Sequence, residues 1–378
     1  MKVTMVSNAM SHHQKPFCDS MAASDGVEFR FIATKELSAE RAGMGYSDLN
    51  RSEPYIIRSY ESDEARREAM EWIGSSDFVI YGSAPYSFVK SRLREGKWTF
   101  LYSERVFKKG LLDYLSPKKL AAYWLHFGLV PHKRVRLLCA SAYTLKDFRA
   151  FGYQRRKAYR WGYFPKICLS SPTTLLPEKE PGSLVWVARM IPLKHPETML
   201  ALAGALREKE IPFHLTMVGN GELLELMRAE AEANGLADFI TFTGALPADE
   251  VRRVMERSEI LVTTSDRGEG WGAVINEGMS SCCAVVASRE MGAAPFLIRD
   301  GENGMLFSAG DVSALTDRVA ELLRDSVKRQ QLGKNAGMTI QNEWNGERAC
   351  EKLLTVFRRL QAGETDFAFP DGVCSRPD

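Results

Sequence analysis

The sequence predicts a two-domain α/β protein, each domain a parallel sheet covered by helices, and three observations carry that expectation. Its 378 residues exceed what one core ordinarily organises, at about 100 to 200 residues per domain. Short apolar runs alternate with helical or polar stretches long enough to be crossovers, which parallel neighbours require. The alternation breaks once, at the polar, proline-bearing LSSPTTLLPEKEP of residues 169–181, and then restarts. The expected division is a first domain over residues 1–168, a linker over 169–181, a second domain over 182–342, and a C-terminal helix and tail over 343–378 returning to the first domain.

In the first domain the expected strands begin with KVTMVS at Lys2, VEFRFIA at Val27, YIIRS at Tyr55, DFVIY at Asp77, WTFLYS at Trp98 and VRLLCAS at Val135. The second opens with SLVWVA at Ser183, a helix over 196–209, FHLTMVG at Phe213, a helix over 222–234 and FITF at Phe239. It continues with a helix over 248–258, EILVTTS at Glu259, a helix over 272–282 and CAVVAS at Cys283, a doubly wound pattern. Residues 312–360 read as helical, with Leu315, Val319, Leu322 and Leu323, then Leu353, Leu354 and Phe357, at turn spacing.

Hydrophobic residues at 45 % and charged residues at 26 % exclude disordered, collagen-like and disulfide-scaffold classes. No run reaches the ~18 apolar residues of a spanning helix, and MKVTMVSNAM lacks the apolar stretch and cleavage site of a signal peptide. A cytoplasmic protein is expected, with peripheral attachment to the inner face of the plasma membrane left open. The seven cysteines are scattered without a C-x-x-C pair, so neither a disulfide framework nor a zinc site is indicated.

The net charge of +2 hides an asymmetry: residues 1–170 hold 28 basic and 17 acidic side chains, and the remainder 22 and 31. The excess concentrates between residues 86 and 166, with 19 Lys plus Arg against four acids, which favours an anionic partner. Residues 111–130 place Lys118, Lys119, Tyr123, Trp124, His126 and Phe127 among aliphatics, the mixture of a helix lying in a membrane interface. A solvated basic face over a buried aromatic helix is the alternative. Nucleic acid is disfavoured because no reader motif accompanies the charge.

Chemistry concentrates in GEGWGAVINEGMS, residues 268–280, after an expected strand and opening an expected helix. In an open parallel sheet, ligands bind at the carboxyl ends of strands, where helix starts offer unpaired N–H groups. Gly268, Gly270 and Gly272 would let the backbone approach an anion, and Glu269 and Glu277 could face one ligand from two sides. The plainer reading makes Glu269 a dipole-compensating acid and Glu277 a solvated surface residue.

This segment resembles the donor signature of the GT-B glycosyltransferases, particularly retaining family 4 of the bacterial polysaccharide-assembly type, and the resemblance covers the second half of the chain. VARMIPLKH from Val187, VGNGE from Val218, FTGALP from Phe242 and DGENGMLFSAGD from Asp300 follow in the family's order. The resemblance implies a GT-B fold, two Rossmann-like domains facing across a cleft, and retaining transfer of a sugar from a nucleotide-diphosphate sugar, UDP favoured, to a saccharide acceptor, lipid-linked in polysaccharide assembly. It implies that Arg189 and Lys194 neutralise the diphosphate, that Glu277 accepts from the ribose hydroxyls and that Glu269 faces the donor sugar. Backbone groups at Gly270, Trp271 and Gly272 would meet the sugar or phosphates, Gly219, Asn220 and Gly221 the nucleotide, and residues 243–246, with Thr243, Gly244 and Leu246, the base edge. Fixed cations in a dry cleft can stabilise charge growing on a β-phosphate, and no Asp-x-Asp occurs in this half, so metal-independent chemistry without a cofactor is expected.

The chain departs from the family in three places. GAAPFLI puts Phe296 where many members have glutamate. A glycine-rich loop after the first strand is replaced by SNAMSHHQKPF, making Ser7, His12 and His13 acceptor-side candidates beside the reading of ordinary surface histidines. Where the family often has a histidine, FLYSERVFKKG places Ser103 and Glu104, and Glu104 becomes either the carboxylate that takes or positions the acceptor proton or an ion-pair partner of Arg105 or Lys108. Trp161, Tyr163 and Phe164 of WGYFP are expected in packing. A nucleotide-sugar epimerase or hydrolase of the same fold, and an inactive GT-B module recruited to membranes, are the rival readings.

Overall fold

The computed structural model describes residues 1–37, 48–108, 110, 116–124, 134–167 and 172–378. Two compact units emerge, one of Met1–Lys166 with Trp344–Asp378, the other of Ile167–Glu343. Most of the interfacial helix expected at residues 111–130, with His126 and Phe127, lies outside the described residues.

The first unit contains β1 (Lys2–Ser7), β2 (Glu28–Ala33), β3 (Ile56–Arg58), β4 (Phe78–Tyr81), β5 (Thr99–Ser103), β6 (Val135–Cys139) and β7 (Ala158–Arg160). They form one sheet of order β3-β2-β1-β4-β5-β6-β7, every pair parallel. Strands β4 and β6 are buried throughout, as strands of a sheet covered on both faces should be; β4 is wholly apolar, and β6 carries Arg136, whose guanidinium donates to the carbonyls of Val135 and Thr365. Helix Asp63–Ser75 starts where Ser62 Oγ accepts from the Ala65 N–H. Arg92, 1 % exposed, donates to the carbonyls of Ile73, Ser76, Asp77 and Trp98, so its charge is dispersed over backbone dipoles.

Helix Gly346–Gln361 belongs to this unit and begins where Asn345 Oδ1 accepts from the Arg348 N–H. Its Phe357 stacks on Phe78 of β4 at 4.1 Å between ring centroids. Beyond it the polar tail meets the edge of the sheet: the Arg160 N–H donates to Ser375 O at 2.8 Å and the Cys374 N–H to Arg160 O at 2.9 Å. Arg376 lies 4.7 Å from the Tyr159 ring centroid. The tail thus covers the edge that β7 would otherwise leave open.

The second unit contains β8 (Glu180–Val187), β9 (His214–Val218), β10 (Ile240–Gly244), β11 (Ser258–Thr263), β12 (Ala284–Ser288) and β13 (Met305–Phe307). The order is β10-β9-β8-β11-β12-β13, again all parallel. In both sheets the order reverses beside the first strand, between β1 and β4 and between β8 and β11, the positions where open sheets part to admit ligands.

Of the linker expected over 169–181, residues 169–171 lie outside the described residues and residues 172–181 are described. From Pro172 the chain forms a short helix, Pro172–Leu175, then a 3₁₀ turn, Leu176–Glu178, and enters β8 at Glu180. Tertiary packing overrides the polar local signal: Leu175 is buried in an apolar cluster with Cys282, and Leu176 packs against it. Lys179 Nζ donates to the carbonyls of Met255, Glu256, Ser258 and Ser281, tying the segment to the second unit.

Candidate functional site

At the switch point of the second sheet, β8 runs into residues 188–195 and β11 into residues 264–272. Between these loops Lys194 Nζ forms an ion pair with Glu269 Oε2, both side chains 16 % exposed. The pairing is held from below: buried Thr264 receives the Trp186 indole N–H at 2.9 Å and donates its hydroxyl to the Lys194 carbonyl at 2.6 Å. Arg189, on the same loop as Lys194, is exposed, and its guanidinium makes no hydrogen bond or ion pair with any described residue.

The nucleotide-side candidates form an adjacent backbone lattice. The Gly219 N–H donates to Gly244 O at 2.8 Å, and the Met190 N–H to Asn220 O at 2.9 Å. A side chain at Gly219 would bring Cβ within 1.8 Å of Ala188 O, and at Gly221 within 2.3 Å of Met190 O, so only glycine lets these loops touch. Asn220 Oδ1 accepts from the Gly221 N–H, and the Thr243 hydroxyl donates to Gly244 O at 2.9 Å. Leu246, beyond β10, is half-buried.

On the other side, Gly270 and Trp271 are buried and Gly272 adopts φ 93°. Trp271 serves as scaffold with its side chain, its indole N–H donating to Asn276 Oδ1 at 2.8 Å and its carbonyl accepting from the Ala293 N–H at 2.9 Å. Phe296 is buried with its ring centroid 6.4 Å from that of Trp271, so the residue standing in the family's glutamate position packs against the signature loop. Glu277, half-buried in helix Val274–Ser280, has its carboxyl pushed up to about 7 by burial, with Arg252 pulling the other way.

The first unit holds a second constellation. A cavity of about 460 Å³ is lined by Ser7 at the end of β1, Gly82 and Ser83 after β4, and Ser103 and Glu104 at the end of β5. Tyr163 Oη donates to Glu104 Oε1, while Lys108 Nζ bonds Glu104 Oε2 at 2.8 Å. Of the two ion-pair partners considered for Glu104, Lys108 is the one engaged; Arg105 is buried, 3.9 Å from Asp147 and over the Tyr143 ring. His13 stacks on Tyr163 at 5.4 Å, and exposed His12 lies against His13 at 3.7 Å. Ser7, Ser103 and Glu104 thus share one cavity, with His13 against its Tyr163 wall.

The packing expectation holds for Trp161 and Phe164, both 2 % exposed, and is corrected for Tyr163, which lines the cavity. Sequence reasoning also missed His195 and Asp266. His195 Nδ1 lies 2.8 Å from Glu197 Oε1 and Nε2 3.2 Å from Asp266 Oδ2. Asp266 Oδ1 accepts from the Gly268 N–H at 2.7 Å. Burial alone would lower the His195 pKa, but the two carboxylates outweigh it and the net direction is upward. A locally readable signal existed for Asp266, three residues beyond β11 at the switch point; none existed for Tyr163. Among the described residues, neither unit by itself gathers three histidine, cysteine or carboxylate groups at metal-ligand spacing.

Comparison with known proteins bears on the family and the fold. Residues 172–338 match the model of the family described as glycosyl transferases group 1. The GDP-mannose-dependent alpha-(1-6)-phosphatidylinositol monomannoside mannosyltransferase of Mycobacterium tuberculosis is 27 % identical over 185 residues, 47 % of this chain and 48 % of that protein. The lipopolysaccharide core biosynthesis mannosyltransferase LpcC of Rhizobium leguminosarum bv. viciae is 30 % identical over 181 residues, 47 % of each. The chain thus spans about half the length of the curated relatives it matches. Among solved structures, the Anabaena protein Alr3699/HepE in complex with UDP superposes with a TM-score of 0.65 at 14 % identity, over 97 % of this chain and 100 % of that one. The apo lipopolysaccharide outer core galactosyltransferase WaaB gives 0.67 at 16 %, over 96 % and 100 %. At such identities these likenesses speak for the fold.

Proposed function

Because residues 172–338 match the family model of the group 1 glycosyl transferases and the two parallel sheets are those of the GT-B fold, we propose that this chain transfers a hexose from a nucleotide-diphosphate sugar to a saccharide acceptor, retaining anomeric configuration and requiring no metal ion. The observation that carries this reading is the Lys194–Glu269 pair beside unengaged Arg189 at the switch point of the second sheet. Breaking a sugar–phosphate bond builds negative charge on the β-phosphate, and two cations on one loop, Lys194 and Arg189, can stabilise that charge as it forms. Lys194 is held by Glu269 until an anion competes for it, and Glu269 is then available to the donor sugar's hydroxyls. In a front-face attack the departing phosphate oxygen takes the acceptor proton, so no carboxylate nucleophile is needed in the second unit.

The acceptor is assigned to the first-unit cavity, where Glu104 and the hydroxyls of Ser7 and Ser103 offer hydrogen bonds to a polyol. The basic surplus of residues 86–166 and the half-exposed Trp124 support an acceptor carried on a lipid at an anionic membrane surface. No helix among the described residues is long and apolar enough to cross a membrane. Two donors compete: UDP, favoured by the sequence resemblance, and GDP-mannose, named for the mycobacterial relative matched over half this chain.

The test is release of nucleoside diphosphate from UDP-glucose, UDP-galactose and GDP-mannose, in chelator, with and without glycolipid extract. Acceptor-dependent release from one donor supports the proposal and selects the base. Release that ignores the acceptor makes the protein a hydrolase. Binding of nucleotide without release from any donor moves the inactive module to first place.

A further inference from the structure

The Lys194–Glu269 pair raises a mechanical question. If a donor phosphate draws the Lys194 ammonium away from Glu269, the contact joining the two site loops at that point is lost. Among the described residues two hydrogen bonds then remain between residues 188–195 and 264–272, both at the base of Lys194, beside the packing of Leu193 on Gly268. One is the Thr264 hydroxyl on the Lys194 carbonyl at 2.6 Å; the other joins His195 Nε2 to Asp266 Oδ2 at 3.2 Å. We propose that His195 and Asp266 form a clip that holds the Lys194 backbone and the 266–272 loop in place while the Lys194 side chain exchanges Glu269 for the donor phosphate, which makes both of them positioning residues. This rests on the nucleotide-sugar reading of the site.

Three features support the assignment. His195 sits at φ 49°, a left-handed conformation that costs a non-glycine residue energy, and it occupies that position with both ring nitrogens engaged by carboxylates. Asp266 is bidentate in function: one oxygen faces His195, and the other accepts the Gly268 N–H, one residue before Glu269. The Glu269 N–H donates to the Asp266 carbonyl at 3.1 Å, so a displacement of Asp266 is transmitted directly to the glutamate that Lys194 leaves. The charged groups facing the imidazole are Glu197, from the following helix, and Asp266, from the opposite loop; Lys194, its chain neighbour, is turned to Glu269. A protonated ring donates to both carboxylates, whereas a neutral ring can donate to only one of them.

The experiment is calorimetric binding of UDP and GDP between pH 6 and 9 to the wild type, His195→Asn and His195→Gly, with NMR titration of the His195 ring in the wild type and Asp266→Asn. Asparagine and glycine both accept the left-handed backbone, so both substitutions remove the clip without adding strain. Expected are an unchanged or higher melting temperature in His195→Gly and binding at pH 6.5 weakened by about tenfold in both variants, the size of one lost charge-assisted hydrogen bond. The wild type should converge on the variants as pH rises through the imidazole pKa, and that pKa should fall in Asp266→Asn. Glu277 and the ligand phosphates titrate in all three proteins alike, so the ratio of affinities isolates His195. A purely structural role predicts lower melting temperatures with a pH-independent ratio, and that result overturns the clip. Equal affinities throughout also overturn it while leaving the nucleotide-sugar reading intact. A wild type that binds neither nucleotide overturns both.

Discussion

Each unit places a lysine–carboxylate pair at the carboxyl ends of its parallel strands, and the two pairs are built differently. Lys194 and Glu269 are 75 residues apart and meet because β8 and β11 are neighbours in the sheet; both are largely buried. Glu104 and Lys108 are four residues apart, 26 % and 43 % exposed, and would meet in almost any local turn. A solvated pair of that kind contributes about 0–1 kcal/mol, so the partner that fixes Glu104 is Tyr163, 59 residues further along the chain. In the second unit the topology stores a cation in a carboxylate's grip; in the first it holds a carboxylate ready, with a weak cation as its lid.

The largest expected effect tests the side where cations are gathered. Arg189→Ala should lower kcat by about a hundredfold or more if the guanidinium acts on the leaving diphosphate, the scale seen when one transition-state donor is removed. A raised KM with unchanged kcat in steady-state assays would reduce Arg189 to a binding contact. Next comes the other side. Glu104→Gln should reduce transfer by about ten- to a hundredfold, the size of one lost hydrogen bond from a carboxylate that positions the acceptor hydroxyl, and leave nucleotide affinity by calorimetry unaltered. Wild-type transfer in that variant would remove Glu104 from the reacting set, and the two lysine–carboxylate pairs would no longer be functional counterparts.

A smaller effect of opposite sign sharpens the contrast. Glu269→Gln frees Lys194 from its anionic partner, so free nucleoside diphosphate should bind more tightly, by up to about tenfold, while sugar transfer falls. Lys108→Ala should change nucleotide binding not at all. Weaker nucleotide binding in Glu269→Gln would mean that the carboxylate positions the lysine and does not compete with the ligand for it.

The same contrast separates what could be read in the sequence from what could not. The parallel sheets were legible because their inner strands are short, mostly apolar runs, such as FVIY of β4 and AVVAS of β12, and because crossover lengths leave little choice of pairing. Strands β7 and β13, three residues each, carry too little pattern to stand out; β7 is fixed by pairing with β6 and by the tail, and β13 by pairing with β12. Residues 172–178 look like a linker because their apolar surface is only Leu175 and Leu176, which acquire meaning against Cys282. Within the site, the loop glycines and Glu269 announced themselves by spacing. Tyr163 on Glu104 and Asp266 on His195 are contacts of 59 and 71 residues' separation, set by folding and invisible to local pattern.

The smallest expected effect concerns Glu277, whose carboxyl is raised from its ordinary 4.5 to about 7 by burial. The folded state therefore holds this proton more tightly than the unfolded chain, so between about pH 4.5 and 7 the native protein binds more protons and stability falls as pH rises. Glu277→Gln imitates the protonated form and should lose that slope, so melting curves of variant and wild type should separate progressively from pH 5 to pH 8 in favour of glutamine, by a few degrees. Bound nucleotide would reverse the preference. If ribose hydroxyls donate to Glu277, as the family resemblance implies, they stabilise the carboxylate, so binding at pH 6.5 should expel a fraction of a proton, measurable as a dependence of calorimetric heat on the buffer's ionisation enthalpy. Glutamine removes the proton release, and the first-unit substitution Glu104→Gln leaves it untouched. Release that persists in Glu277→Gln would assign the proton to another group and take Glu277 off the ribose.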